Sequence, residues 1–427
     1  MDANNYGIPN TLPVNGQDRF EYIANYQIQA VVTFDQRLEA DVLNKAVRLS
    51  LDAEPVLGCR FIEDDKEPCW QRFEGIDKMP WFKYVQTNDK QAAIGQFLKG
   101  PFAYAEQQVN VRFVRSQDSD TLCVKICHAC ADAAALKEYL DLLAGIYSKL
   151  QDDSDFEPVP NIHSRRDQKH YFDALGIQEP LALFNPNAPF LPPNWAFPHS
   201  GVERQDMHAA MRRFHNEAFD RIIAFGKNHK VTVTALILTA MYRSLFEMVK
   251  PPIEEEMGIC VTTDLRKVFV GSPDQALCNL SVGIYPRIAR IEGESFIDTL
   301  KRVSGAIEGL KKDRAELRDA IVLEAWGAMD YSQLLAIMQG VIQWAQESGK
   351  SDPLLSNVGV IQPLQFGPIV ATDAYVITPT VYAPGFMLGI CTYDRTLTLA
   401  ASYAQPAQKT EEVEAFMDLM EKKLMSL

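Results

Sequence analysis

A histidine and an aspartate, His128 and Asp132, are separated by three small residues in the segment His-Ala-Cys-Ala-Asp. Apolar residues alternate just before this segment, at Leu122, Val124 and Ile126, which predicts a strand with one buried face. Continuing the alternation places His128 on the buried side at the end of that strand, just before a helix. Desolvation there would lower the pKa of the imidazole and keep it neutral. Because a neutral imidazole is the form that accepts a proton, the segment predicts a general-base site.

Other interpretations fit the same residues. Asp132 has the position and residue type of a helix N-cap, and His128 fits a hydrogen-bonded histidine of the core. Cys127 and Cys130 flank the histidine, which suggests either a metal site or a cysteine nucleophile. A structural zinc site needs four ligands, and no second pair of cysteines or histidines lies at a matching spacing, so we predict no metal.

The amino-acid composition and net charge exclude some classes of binding partner. The 427 residues carry a net charge of −14, with 47% hydrophobic and 23% charged residues, which is typical of a globular protein of two or three domains. The pI is about 5.1. Affinity for nucleic acid rests on lysine and arginine neutralising phosphates, so we exclude a nucleic-acid partner, and no basic cluster favours an anionic lipid surface.

The eight cysteines are scattered along the chain rather than densely spaced, which is typical of a protein from a reducing compartment. The first residues lack the basic and apolar regions of a signal peptide. The most apolar stretch, from 231 to 241, is too short to span a bilayer. We therefore expect a cytoplasmic protein without a membrane span.

Strand and helix patterns alternate along the chain. Strands are predicted at 28–34, 109–113, 122–126, 257–263, 280–288, 355–361, 374–378, 386–392 and 397–403, and helices at 38–51, 136–150, 217–227, 234–249, 296–310 and 411–425. Asp394 and Arg395 fit a hairpin turn. Eight prolines lie between 158 and 198, so the stretch from 184 to 195 in particular predicts an irregular connection. The chain is thus an α/β protein in two halves divided near 175–205.

The segment from His128 to Ala133 resembles the HxxxDG motif of the acyltransferase superfamily that includes nonribosomal peptide synthetase condensation domains, chloramphenicol acetyltransferase, polyketide-associated acyltransferases and alcohol acetyltransferases. Other segments resemble the family in the right order, so the resemblance covers nearly the whole chain. They are 54–57 with 59–61, 231–240, Thr263-Asp264-Leu265-Arg266, Asn279-Leu280-Ser281, Ser356-Asn357-Val358-Gly359 and 392–397.

The resemblance implies two chloramphenicol-acetyltransferase-like subdomains that form a V-shaped pseudo-dimer with a central tunnel. Residues 1–180 would form the first subdomain, 181–205 the crossover linker and 206–427 the second subdomain. His128 would deprotonate the acceptor, and Asp132 would pair with Arg266 of the second half to hold the loop in place.

The resemblance also implies the substrates. The donor would be an acyl-CoA or an acyl carrier protein, with the thioester of coenzyme A or phosphopantetheine as co-substrate and no bound cofactor. The acceptor would be a small alcohol or amine of secondary metabolism, and a monomer is expected. The polar residues expected near the tunnel or as oxyanion donors, each of which also fits a turn or a cap, are Asn279, Ser281, Ser356, Asn357 and Tyr393.

Two positions depart from the motif. Cys127 stands where condensation domains usually have a first histidine, which favours acyl transfer other than peptide-bond formation. Ala133 replaces the motif glycine, and its methyl group would crowd the site unless the backbone is right-handed helical. A second hypothesis is therefore a catalytically silent protein of this fold that binds a thioester or a carrier-protein partner, and a third is a cysteine enzyme built on Cys127 or Cys130.

Overall fold

The computed structural model describes residues 7–100, 102, 106–188, 191–269, 271 and 274–427. Residues 1–6, which contribute to the prediction that no signal peptide is present, lie outside the described residues. So do two residues of the proline-rich connection, Pro189 and Phe190.

Strands make up two large sheets, one in each half, and three small ones. The strands are β1 (Thr11–Pro13), β2 (Gln27–Phe34), β3 (Cys59–Ile62), β4 (Cys69–Arg72), β5 (Phe82–Gln86), β6 (Val109–Arg115), β7 (Asp120–Cys127), β8 (Arg204–His215), β9 (Glu256–Gly258), β10 (Cys260–Asp264), β11 (Ser281–Ile284), β12 (Arg287–Ala289), β13 (Leu354–Val360), β14 (Gln365–Phe366), β15 (Ile369–Val370), β16 (Asp373–Ile377), β17 (Met387–Tyr393) and β18 (Thr396–Pro406).

Helices cover these sheets. They are α1 (Gly16–Ala24), α2 (Ala40–Ala53), α3 (Lys90–Lys99), α4 (Ala133–Asp152), α5 (Lys169–Ala174), α6 (Asn216–Asn228), α7 (Val233–Val249), α8 (Phe296–Lys312), α9 (Glu316–Gly327), α10 (Tyr331–Ser348) and α11 (Thr410–Met425). Each helix predicted from periodicity is present, and the chain is α/β as expected. In the described part of the chain no single helix is long and apolar enough to cross a membrane, although α6 and α7, bent by 102° at their junction, pass that test as a pair.

The sheet of the first half has the order β16-β2-β7-β6-β5. β7 is antiparallel to β2, with Ile126 opposite Ile28. All eight residues of β7 are buried, whereas the alternation predicted only one buried face. The second face carries Lys125, whose Nζ donates to the carbonyl of Phe97 at 3.0 Å near the end of α3, so α3 covers what would otherwise be a solvent face.

The sheet of the second half has the order β11-β10-β13-β17-β18-β8. Asp394 and Arg395 form the hairpin between β17 and β18, as the sequence predicted. Both residues have positive φ. The prediction of a single strand at 280–288 is wrong. This segment divides into β11 and β12 around Pro286, which has no N–H to donate to a ladder, and the predicted strand 257–263 divides into β9 and β10 opposite them.

β16 comes from the second half of the sequence but pairs with β2 of the first half, with Ala374 opposite Val32. Arg213 of β8 holds this strand through a bidentate pair with Asp373, at 2.8 and 2.6 Å. The second half of the chain therefore contributes an edge strand to the sheet of the first half, and Arg213 connects that strand to the other large sheet. The subdomain boundaries at 181–205 stay a prediction.

The connection between the halves is irregular in its described part, as its prolines predicted. The described residues from 184 to 188 and from 191 to 200 contain neither helix nor strand, and a short 3₁₀ turn, Pro180–Leu183, precedes them. Helix α5 was not predicted, because its six residues are too few for a recognisable period.

Asp120, at the start of β7, ties that strand to the loop before α2. Its fully buried carboxylate accepts hydrogen bonds from the backbone N–H of Leu38 at 2.9 Å and from the guanidinium groups of Arg37 and Arg115. Burial by itself raises the pKa of Asp120, but the hydrogen bonds from Arg115 and Arg37 outweigh it and hold the pKa below its ordinary value.

We expect Asp120→Asn to destabilise the protein by about 1–3 kcal/mol, because a neutral amide cannot accept charge-assisted hydrogen bonds at both of its ends in this buried position. Urea unfolding at neutral pH measures the difference, with the exposed Asp118→Asn as the matched control. The pKa of Asp120 is depressed in the folded state, so its stabilisation is present above the unfolded pKa and is lost as the pH falls. Equal unfolding midpoints for the two variants would contradict the assignment.

Candidate functional site

His128 follows the last residue of β7, and its backbone N–H donates to the carbonyl of Tyr26 at 2.9 Å. The next three residues, Ala129, Cys130 and Ala131, are fully buried. The imidazole itself is 14% exposed. The strand therefore delivers His128 to a buried edge, as the alternation predicted, with a small part of its ring accessible.

Asp132 is both a helix cap and an ion-pair partner, so the two interpretations of the sequence are compatible. Its Oδ1 accepts the backbone N–H of Ala135 at 2.9 Å, the N-cap bond of α4. Its Oδ2 accepts from Arg266 Nη1 at 2.8 Å and from the backbone N–H of Leu280 at 2.8 Å. Burial raises the pKa of Asp132, but Arg266 outweighs it and the pKa lies below its ordinary value.

Arg266 reaches Asp132 from the second half of the chain. It lies in the 3₁₀ turn that follows β10 and also contacts Asp264 Oδ1 at 3.0 Å and the carbonyl of Cys278 at 2.9 Å. Its guanidinium is thus fixed from three directions. The contact that the resemblance implied between Asp132 and Arg266 is present, and it links the loop after β7 to the second half.

Ala133, which replaces the motif glycine, is the first residue of α4. It is not among the described residues with positive φ. A methyl group is ordinary in right-handed helical backbone, so this position does not require glycine here.

Glu21 of α1 is the residue at this site that the sequence did not reveal. Its Oε2 lies 3.3 Å from His128 Nδ1, and its Oε1 accepts from Gln17 Nε2 at 3.0 Å. The residue is only 6% exposed. Four polar or charged residues of α1 are buried, so the helix has no apolar stripe from which its inner face could be recognised.

The expected direction of the pKa of His128 is wrong. Burial does lower the pKa of this imidazole, as predicted, but the carboxylate of Glu21 and, more weakly, that of Asp132 outweigh it, and the pKa lies above 6.5. The correction follows from Glu21, because a buried opposite charge favours the protonated ring.

Helix α1 is held firmly in the position that brings Glu21 to His128. Asn15 and Asp18 form a capping box at its start. Asp18 also accepts from Trp70 Nε1 at 2.8 Å and from Arg166 at 2.9 Å. At Gly16 a Cβ atom would lie 1.8 Å from the carbonyl oxygen of Leu323 in α9, so only glycine permits this close helix contact.

Asn279 is the one of the five polar candidates that bonds to His128. Its Nδ2 lies 2.8 Å from His128 Nδ1 and 3.1 Å from the His128 carbonyl, and its Oδ1 accepts the backbone N–H of Ser281 at 3.0 Å. The amide is therefore directed at the ring nitrogen and the loop backbone rather than at an oxyanion.

Three of the other candidates bond to residues other than His128. Ser356 Oγ bonds to Thr262 Oγ1 at 3.2 Å, across β13 and β10. Asn357 bonds to Thr234 Oγ1 and to the backbone of Gly359, and Tyr393 donates to the carbonyl of Ala371 at 2.6 Å. Asn357 thus joins β13 to the start of α7, and Tyr393 holds the backbone just before β16.

The cysteines beside His128 do not have the environment of a nucleophile. Burial raises the pKa of Cys127 to about 12 and that of Cys130 well above its ordinary value, so both thiols stay protonated at neutral pH. Within the described residues no group of three or more histidine, cysteine or acidic side chains is arranged to hold a metal ion.

Comparison with solved structures assigns the fold. No family model and no curated protein matches the chain. It is similar to polyketide synthase associated protein 5 from Mycobacterium tuberculosis, with a TM-score of 0.66 at 12% identity over 96% of this chain and 98% of that one. It is also similar to TRI3 trichothecene 15-O-acetyltransferase from Fusarium sporotrichioides, with a TM-score of 0.70 at 10% identity over 97% and 95%.

A third similar structure is the starter condensation domain of rhizomide synthetase, solved with C8-CoA and Leu-SNAC. The TM-score is 0.63 at 13% identity, over 99% of this chain and 96% of that one. The chain therefore has the two-subdomain α/β fold of condensation domains and related acyltransferases, which confirms the predicted resemblance at the level of the fold.

We expect Asp132→Asn to destabilise the protein by about 3 kcal/mol, because Arg266 would lose its closest counter-charge in a buried setting. Urea unfolding measures this loss, and the exposed Asp313→Asn serves as the matched control. If Asp132→Asn unfolds at the same urea concentration as the control, the pair does not hold the two halves together.

Proposed function

We propose that the protein is an acyltransferase that moves an acyl group from a thioester to a hydroxyl or amine acceptor, with His128 as the general base. The observation that carries the proposal is the set of contacts that hold the imidazole of His128 and its loop. Both polar contacts of the imidazole among the described residues involve Nδ1, and the loop that carries it is fixed by the Asp132–Arg266 pair. The fold shared with an O-acetyltransferase and a condensation domain supports this reaction class.

In the proposed reaction, His128 Nε2 takes the proton from the acceptor O–H or N–H as that atom attacks the thioester carbonyl carbon. The tetrahedral intermediate then collapses, the C–S bond breaks, and the leaving thiolate takes the proton from the imidazolium. The products are an ester or amide and a free thiol. Asp132 is a positioning residue, because it holds the loop after β7 and the start of α4 and does not contact the ring.

The developing oxyanion needs a donor. The amide hydrogens of Asn279 face His128, so the two serines Ser281 and Ser356 are the better candidates of the original five. Both carry a hydroxyl on the sheet of the second half, Ser281 on β11 and Ser356 on β13.

Coenzyme A or phosphopantetheine is the proposed carrier of the acyl group, supported by the complex of the rhizomide starter condensation domain with C8-CoA. The right-handed backbone at Ala133 supports an active site over a catalytically silent one. We also propose a cytoplasmic monomer with its subdomains divided at 181–205, supported by the scattered cysteines and by the strand β8 that begins at the end of the crossover.

His128→Ala should lower acyl transfer by about 10²–10⁴-fold, the usual contribution of a general base. Release of free thiol from acetyl-CoA and octanoyl-CoA, measured with a panel of alcohols and amines, reports the reaction. The exposed His163→Ala is the matched control and should keep full activity.

Undiminished turnover in His128→Ala would refute the base assignment. Saturable binding of the same acyl-CoA compounds without thiol release from the wild-type protein would instead favour a silent thioester-binding protein.

The pH profile gives an independent test. Protonated His128 cannot accept a proton, and the raised pKa keeps the ring protonated to a higher pH than usual. We therefore expect kcat/KM to fall as the pH is lowered, with the midpoint of this limb above about 6.5. A limb centred well below that pH would contradict the assignment of Glu21 as the dominant charge beside the ring.

A further inference from the structure

The atoms around His128 Nδ1 can be paired in two ways, which differ in whether Nδ1 carries a proton. Asn279 Nδ2 has two hydrogens but three acceptors within reach, which are His128 Nδ1 at 2.8 Å, the His128 carbonyl at 3.1 Å and Glu21 Oε1 at 3.4 Å. The orientation of its amide is fixed, because its Oδ1 accepts from Ser281. Glu21 Oε2 has no hydrogen-bond partner other than this ring nitrogen and is buried.

If Nδ1 carries no proton and accepts from Asn279, then Glu21 Oε2 remains a buried carboxylate oxygen without a donor, which is costly. If Nδ1 carries the proton, it donates to Glu21 Oε2, and the two hydrogens of Asn279 go to the His128 carbonyl and to Glu21 Oε1. Nδ1, both oxygens of Glu21 and the amide of Asn279 then each have a partner. The hydrogen-bond count therefore favours the protonated Nδ1.

We propose that Glu21 is the positioning residue of the site and that it holds His128 in the Nδ1–H tautomer, which leaves the lone pair of Nε2 free. This inference rests on the proposed function, because it assigns the nitrogen that acts as base in that reaction. In this arrangement the two hydrogens of Asn279 Nδ2 go to the loop carbonyl and to Glu21 Oε1, and its nitrogen lies 2.8 Å from Nδ1 without a hydrogen bond to it.

Glu21 is not free to move away from the ring. Gln17 holds its Oε1 from within α1, and α1 is fixed by the Asp18–Arg166 pair and by the close contact at Gly16. The arrangement resembles the pairing of carboxylate and histidine that fixes the tautomer in hydrolytic triads.

In the part of the chain that the structure describes, few other charges lie near the imidazole. Asp132 acts on it from its own loop, but its charge is paired with Arg266 from the second half. Asp18 on α1 is paired with Arg166 from the crossover. Glu21 is therefore the carboxylate near the ring whose charge is not balanced by an arginine, which makes it the dominant partner.

Nitrogen NMR of the histidine rings in the full chain tests the tautomer without any substrate. The seven histidines are labelled with ¹⁵N, and the signals missing from His128→Ala identify His128. In the wild-type protein at high pH we expect Nδ1 to carry the proton and Nε2 to have the shift of a bare nitrogen. A protonated Nε2 in the neutral ring would overturn the proposal directly.

Glu21→Gln removes the charge at nearly constant shape. We expect it to lower the pKa of His128 by about 1–3 units, the usual effect of losing one adjacent opposite charge. The acidic limb of kcat/KM should move down by the same amount. kcat should fall by at least about tenfold, because less of the neutral ring has a free Nε2, while KM stays unchanged.

Glu21→Asp keeps the charge on a shorter side chain, so the pKa of His128 and kcat should lie between those of the wild type and Glu21→Gln. This variant also tests the proposal if Glu21→Gln does not fold. The exposed Glu67→Gln is the matched control and should titrate like the wild type. If both Glu21 variants fold and leave the tautomer and pKa of His128 unchanged, Glu21 is not a positioning residue.

The two proposals fail in different ways. If Glu21→Gln changes the tautomer and pKa but no protein releases thiol, the acyltransferase function fails and the pairing of Glu21 with His128 stands. If the wild type turns over, His128→Ala is inactive and Glu21→Gln titrates like the wild type, only the positioning role fails.

Discussion

The ion pair between Asp132 and Arg266 connects the loop that carries His128 to the second half of the chain, and the geometry of the site depends on it. One carboxylate satisfies the start of α4, the guanidinium of Arg266 and the backbone of Leu280 together. Because Leu280 is next to Asn279, the same carboxylate also positions the amide that faces the imidazole. A relative shift of the halves would therefore disturb the ring and its partners together.

Much of this could be predicted from the sequence, because local patterns carry it. Alternation located β7, the residue type of Asp132 gave the cap, and the order of the motifs gave Arg266 and the fold. Glu21 could not be found in this way. It reaches His128 through the packing of a helix with buried polar residues against α9, and this tertiary contact leaves no periodic trace. The pKa of His128 was predicted in the wrong direction for the same reason. The burial of the ring could be predicted from the sequence, but the carboxylate of Glu21 beside it could not.

The cluster of Glu21, His128 and Asn279 is assembled from three distant parts of the chain. Contacts between these parts, rather than the sequence around any one of them, bring the three side chains together. Buried polar networks of this kind are stable only when every donor and acceptor is paired. The count of hydrogen bonds around Nδ1 is consequently more informative about the chemistry of the ring than its burial is.

The position of β16, which comes from the second half and completes the sheet of the first, bears on the order in which the protein can fold during synthesis. β2 pairs with a strand that lies about 340 residues later, so one side of β2 stays unpaired until the ribosome has produced most of the chain. An open edge of Ile, Val and Phe residues invites pairing with other chains. A fragment that ends at the crossover would keep this edge exposed, so the first half is poorly suited to expression as a separate domain.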